Sequence, residues 1–225
     1  DEFGYGIEGA APIHEFLVFA YENWITPAPS YVVLFGNGNF DPKGYTTEEI
    51  SLIPPYLAKA DPSIGETAAD NRYVTVSGID KMPDMMLGRL AVNNSTEATT
   101  FVNKIIDYEQ SPVSGSWSQT LLMVADDADN AGDFVASSED LLSRYLLDTY
   151  TAEKVYYDET HFTETDARYA IIAGINNGNI ITNYIGHAGY TQWADEAIFS
   201  TSDVPSLSNG GKLPVVLAMT CYEGY

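Results

Sequence analysis

Apolar residues along the chain recur at two spacings, and each spacing predicts an element. Between Pro12 and Trp24, Ile13, Phe16, Leu17, Ala20 and Tyr21 fall three or four apart, which predicts a helix with Pro12 in its first turn. Asn94 with Glu97 three residues later forms a capping signal, and Ala98, Phe101, Val102, Ile105 and Tyr108 then continue a helix to about Glu109. Further helices are predicted from about Ser138 to Asp148 and from Thr165 to Asn176, the second stopped by Asn177-Gly178. Short apolar runs predict strands at Tyr31 to Phe35, Tyr73 to Val76, Met85 to Leu90, Leu121 to Ala125, Lys154 to Tyr157, Ile180 to Ile185 and Leu213 to Met219. The runs Ile180 to Ile185 and Leu213 to Met219 do not alternate apolar with polar residues, so both read as strands buried on two faces. Asn37 to Asp70 is rich in Gly, Pro, Asp and Thr and reads as loop with one short helix. Strands alternating with helices predict an α/β fold with a mostly parallel sheet. The Ser-, Pro- and Gly-rich segment Gln110 to Ser118 divides it into a subdomain over 1–110 and a second over 111–225.

Composition narrows the function. With 32 acidic and 10 basic residues the net charge is −22, which argues against nucleic acid as a partner. The same charge suits solubility in a salty or extracellular medium and attraction of basic ligands or Ca²⁺. Apolar runs have the length of strands, and none approaches the ~18 residues of a membrane span. No signal peptide opens the chain, as expected if Asp1 follows a processed leader. A single cysteine, Cys221, excludes an internal disulfide. The chain stops just after the strand that carries this residue, so the remainder of the domain is expected beyond Tyr225.

Two strand ends repeat one design. Ile180 to Ile185 runs into Gly186-His187-Ala188-Gly189, and Leu213 to Met219 runs into Thr220-Cys221. Ligands of parallel α/β sheets sit at the carboxyl ends of strands. If the two strands are neighbours, His187 and Cys221 share one crevice. A free thiol is mostly protonated at neutral pH, and a nearby imidazole can take its proton and later protonate a leaving amine. The backbone N–H groups of Ala188 and Cys221 are then placed to hold an oxyanion. Taken alone, Cys221 reads first as a packed core thiol, and the Gly-His-Ala-Gly segment brings the nucleophile reading level with it.

The ordered set Asn183-Tyr184-Ile185-Gly186-His187-Ala188-Gly189, Trp193, Leu213-Pro214 and Thr220-Cys221 resembles the catalytic core of the gingipain family, the C25 peptidases. Upstream, Tyr31 to Gly36, Gly88-Arg89 and Ile105 to Glu109 resemble further segments of that family. The resemblance implies a caspase-like α/β sandwich, its mostly parallel sheet flanked by helices, in a secreted or cell-surface endopeptidase acting on protein or peptide substrates. Caspases proper carry Gln-Ala-Cys, whereas this chain has Met219-Thr220-Cys221. By resemblance, Asp127 orients His187, and Asp133 and Trp193 contact the substrate, with Asp133 favouring Arg or Lys before the scissile bond. Ala188 stands where the family has Gly. The turn Gly78 to Asp84 places two carboxylates four residues apart, a pattern that suits a hard cation. It resembles a gingipain calcium site, which implies Asn37, Ser77, Asp80, Met82 and Asp84 as ligands, with Asn37 replacing a carboxylate. Other classes remain open: an inactive caspase-like surface or interaction domain, a transpeptidase using the same dyad, and a metal hydrolase centred on Asp126 and Asp127.

Overall fold

A computed structural model describes residues 2–41, 43–46, 51–61 and 65–222. In chain order the elements are α1 (Ala10–Asn23), β1 (Tyr31–Phe35), β2 (Leu57–Asp61), β3 (Gly65–Ala68), β4 (Met86–Leu90), α2 (Ser95–Gln110), β5 (Thr120–Ala125), α3 (Phe134–Tyr145), β6 (Thr151–Tyr156), α4 (Glu164–Asn177), β7 (Ile181–Ile185), β8 (Gln192–Trp193), β9 (Phe199–Ser200) and β10 (Val215–Met219). They pack as two units, Asp1–Asn103 and Lys104–Tyr225, divided within α2.

In the first unit β1 pairs in parallel with β4, from Tyr31 opposite Met86 to Phe35 opposite Leu90. Leu17 of α1, Leu34 of β1 and Tyr73, Val74, Val76 and Met85 form its core. The segment expected as a strand at Tyr73 to Val76 is instead a 3-10 turn, Asp70–Val74. Tyr73 and Val74 are fully buried there, so a short apolar run marked burial correctly but not backbone type. The segment read as loop between Asn37 and Asp70 holds the antiparallel pair β2–β3. Arg89 ties the unit together. Its Nε meets Asp70 Oδ2 at 2.6 Å, and its Nη1 donates to the carbonyls of Gly36 (2.8 Å) and Ile53 (2.9 Å).

The second unit is built on a four-stranded parallel sheet in the order β10-β7-β5-β6. The chain steps from β5 to β6 in one direction, then back across β5 to β7 and on to β10. With right-handed crossovers, this reversal puts α3 and α4 on opposite faces. The side chains of β5 agree. Leu122 and Val124 join Ala167, Ile171 and Ile175 of α4, while Met123 and Ala125 join Val135 of α3. That is why β5 is apolar without alternation. Helix α4 begins where Thr163 Oγ1 accepts the Asp166 N–H and ends at Gly178, whose φ of 95° favours glycine.

Strand β10 departs from the expectation of two-sided burial. It lies at the edge of the sheet, and Val215, Val216, Leu217 and Met219 are exposed. An apolar run reports a strand meant for covering, not whether these residues cover it. Among the described residues, no helix is long and apolar enough to cross a membrane.

Arg89→Ala would leave the half-buried Asp70 carboxylate and two carbonyls without their donor. Loss of about 2–3 kcal/mol in urea unfolding of the protein is expected, with Arg89→Lys recovering only part because it lacks the planar fork.

Candidate active site

The reversal of strand order falls between β5 and β7, and their carboxyl ends form the crevice where α/β sheets place ligands. Register fixes what meets there. Ile185 of β7 is opposite Ala125 on one side and Met219 on the other. The next residues along each strand are therefore Asp126, Gly186 and Thr220. His187 and Cys221 each lie two residues past a paired position, on adjacent strands about 4.8 Å apart.

The backbone at His187 is held from three directions. Asp126 is 2% exposed, and its Oδ2 accepts the His187 N–H at 3.0 Å. Tyr184, fully buried, donates its hydroxyl to the His187 carbonyl at 2.5 Å. That carbonyl and that hydroxyl oxygen both accept from the Ala194 N–H, at 2.8 and 2.9 Å. The Tyr184 ring in turn stacks on Trp193, with centroids 4.5 Å apart and planes 5° from parallel. Gly186 is necessary in this packing, because a Cβ there would sit 2.4 Å from Asp126 Cβ and 2.5 Å from Tyr184 Oη.

The His187 ring is half-exposed and packs edge-on against Phe134, the first residue of α3, at 5.3 Å. Its Nε2 lies 3.1 Å from Asp129 Oδ2. Cys221 is exposed. The Ala188 and Cys221 amides donate to no partner among the described residues, so both remain available to an incoming oxygen.

The acids after β5 divide their work differently from the expected scheme. In this structure the carboxylate that meets the imidazole belongs to Asp129, not Asp127. Asp127 instead groups with Asp126 and Glu196, with one oxygen of each within 4.8 Å of the others, a set able to hold a metal ion. Asp133 is exposed and caps α3, its Oδ1 accepting the Ala136 N–H at 2.8 Å. The difference arises within the loop, where Asp129 Oδ1 accepts the Ala131 N–H at 2.8 Å and so turns its second oxygen to the ring. Burial pushes the Asp126 carboxyl up to about 6, against the lowering effect of the His187 and Asp127 N–H groups. The Asp129 carboxyl is lowered, first by the Ala131 N–H and then by His187.

Asp126 and Tyr184 hold the His187 backbone, a supporting role that motif reading did not give them. Period-two reading offers a signal for both. Tyr184 and Gly186 share one face of β7, and Asp126 stands opposite Gly186 on the same face as Val124.

The expected cation site does not assemble as a set. Asn37 follows the carboxyl end of β1, whereas Ser77 to Asp84 precede the amino end of β4. Because β1 and β4 are parallel, the full pair, about 13 Å of strand, separates them. Asn37 bonds to Asn93 instead. Within the turn, Asp84 Oδ2 accepts the Val76 and Ser77 N–H groups and Asp80 Oδ1 accepts that of Met82, each at 2.8 Å.

Comparisons with known proteins give the family and the fold. The family model for peptidase family C25 matches residues 1–225. Gingipain R2 of Porphyromonas gingivalis is 27% identical over 175 residues, which are 74% of this chain and 22% of that protein. Lys-gingipain W83 of the same organism is 24% identical over 153 residues, 68% of this chain and 8% of that protein. The chain thus spans about a fifth or less of the length of these relatives. The crystal structure of the Arg specific cysteine proteinase gingipain R superposes with a TM-score of 0.74 at 23% identity, covering 99% of this chain and 47% of that one. That likeness establishes the caspase-like α/β fold.

Two measurements probe the supports of His187. Gly186→Ala is expected to cost about 1–3 kcal/mol in thermal unfolding, because neither Asp126 nor Tyr184 has space to withdraw. The Asp126 carboxyl has a folded-state value near 6 against an ordinary 3.8, so between these pH values the folded protein retains a proton that the unfolded chain has lost. Its contribution to stability therefore falls as pH rises through that window, by on the order of 3 kcal/mol in all. Asp126→Asn cannot ionise, so urea titrations should show the variant gaining on the wild type by that order between pH 4 and pH 7.

Proposed function

From the chain's membership of peptidase family C25, we propose that it carries the Cys-His half of a cysteine endopeptidase. One observation carries the reading: the register of β7 and β10 brings His187 and Cys221 to equivalent positions at the tips of neighbouring parallel strands. Cys221 Sγ is the nucleophile, and His187 removes its proton. Attack on a peptide carbonyl gives a tetrahedral oxyanion, received by the Ala188 and Cys221 N–H groups. His187 then protonates the departing amine, leaving a thioester on Cys221 that water hydrolyses. Asp129 is placed to keep the ring in one tautomer until substrate arrives, and Asp126 and Tyr184 keep its backbone at the crevice.

The relatives include an Arg specific cysteine proteinase and a Lys-gingipain. Acids crowding the β5 side of the crevice support the same preference here, for Arg or Lys before the scissile bond, with Asp127 and Asp133 the candidate acids. Kinship with these relatives supports a secreted or cell-surface location, and their greater length supports further peptidase sequence beyond Tyr225. The turn acids Asp80 and Asp84, with the carbonyls of Ser77 and Met82, form the remaining candidate calcium site. One oxygen of each acid is free of the turn's own hydrogen bonds.

Iodoacetamide at pH 6 should alkylate Cys221 at least about tenfold faster in the wild type than in His187→Ala, since only a supported thiolate reacts quickly at that pH. A peptide-library digest should show cleavage that Cys221→Ala lacks. Slow labelling unaffected by His187→Ala, with no Cys221-dependent cleavage, would leave only a scaffold role.

A further inference from the structure

We propose that the cavity beside Cys221 is a second specificity pocket, built for one bulky uncharged side chain of the substrate. The proposal rests on the peptidase reading above. The cavity holds about 270 Å³. That is below the roughly 300–1,000 Å³ of sites for whole small molecules, and suits a single side chain. Tyr222, the neighbour of the nucleophile, forms one wall, and Tyr190 faces it with ring centroids 4.6 Å apart. Trp193 and Phe199, themselves 5.2 Å apart, supply aromatic surface, while Ser200 and Thr201 add hydroxyls at the rim.

The lining contains no Asp, Glu, Lys or Arg among the described residues, although the chain carries a net charge of −22. Among the described residues, the acid nearest in sequence to the lining, Asp203, is already engaged. Its Oδ2 accepts from Ser200 N and Oγ, both at 2.8 Å, and lies 3.6 Å from Arg168 Nε. These contacts stiffen the wall and satisfy the charge. The crevice is therefore asymmetric. Asp126, Asp127 and Asp129 follow β5, with Glu196 of the β7–β10 connection joining the first two, whereas the neutral pocket is built from other residues of that connection and Tyr222. A substrate crossing the strand tips meets acid on one flank of the scissile bond and aromatic surface on the other. A charged side chain entering the neutral pocket would lose water without gaining a counter-ion, while an aromatic or large aliphatic one would gain ring contacts.

The test is a positional-scanning peptide library cleaved by the native protein, by Thr201→Phe, which fills the pocket, and by Tyr190→Ala, which opens it. One substrate position should favour Phe, Tyr, Leu or Met over Asp, Glu and Lys by about tenfold or more in kcat/KM. That ratio should fall about tenfold in Thr201→Phe and shift toward other sizes in Tyr190→Ala. Ratios are compared within each variant, so a general loss of rate does not distort them. A native profile without such a position overturns the proposal, as does a ratio unchanged in both variants. Loss of all cleavage in both variants also overturns it, since that would assign these residues to the folding of the site. Absence of any Cys221-dependent cleavage by the native protein would instead remove the peptidase reading, and this proposal with it.

Discussion

Strand β7 is hydrogen-bonded along both edges, and its register with β5 and β10 sets where every group of the crevice stands. Ile185 is level with Ala125 and Met219, so three chain segments leave the sheet at one height. Thr182 and Tyr184 are fully buried. A slip of one residue would turn Tyr184 to the opposite face of the sheet and carry His187 away from Asp126. The dense packing of β7 is thus what makes the spacing of two side chains beyond its end reproducible.

Around that frame, rigidity is graded. The His187 backbone is fixed by the buried Asp126 and Tyr184, whereas its ring is half-exposed and bonded to an exposed carboxylate. An exposed contact of this kind contributes little and exchanges readily with water or another partner. The imidazole therefore has a fixed origin and an adjustable direction, which suits the proposed role of addressing a thiol and then a leaving amine.

The layered α/β organisation was legible because a parallel sheet covered on both faces demands unbroken apolar strands. Leu121 to Ala125 has that character, and Ile180 to Ile185 approaches it without alternating, its polar Thr182 and Asn183 being buried too. The place of His187 and Cys221 just past neighbouring strands was legible for a related reason, since each follows an apolar run directly. What the sequence hid lies where short polar side chains choose among local partners. Asp127, Asp129 and Asp133 are equivalent as letters, yet one joins a carboxylate cluster, one meets the imidazole and one caps α3. Asn37 was drawn to the wrong end of its strand pair because a turn and a loop can look complementary without a register to separate them. Tyr73 and Val74 had the composition of a strand but formed a 3-10 turn, as burial in the first unit's core decided their conformation.

The place of β10 at the edge of its sheet carries a consequence for pairing. Among the described residues nothing pairs with its outer row of backbone amides and carbonyls, and such a row, flanked by exposed Val215, Val216 and Met219, can take up a further strand from the same chain or from another copy. The net charge of −22 opposes such contacts between chains. At 1 M ionic strength the reach of that repulsion contracts to about 3 Å, so self-association should depend on salt rather than on concentration alone.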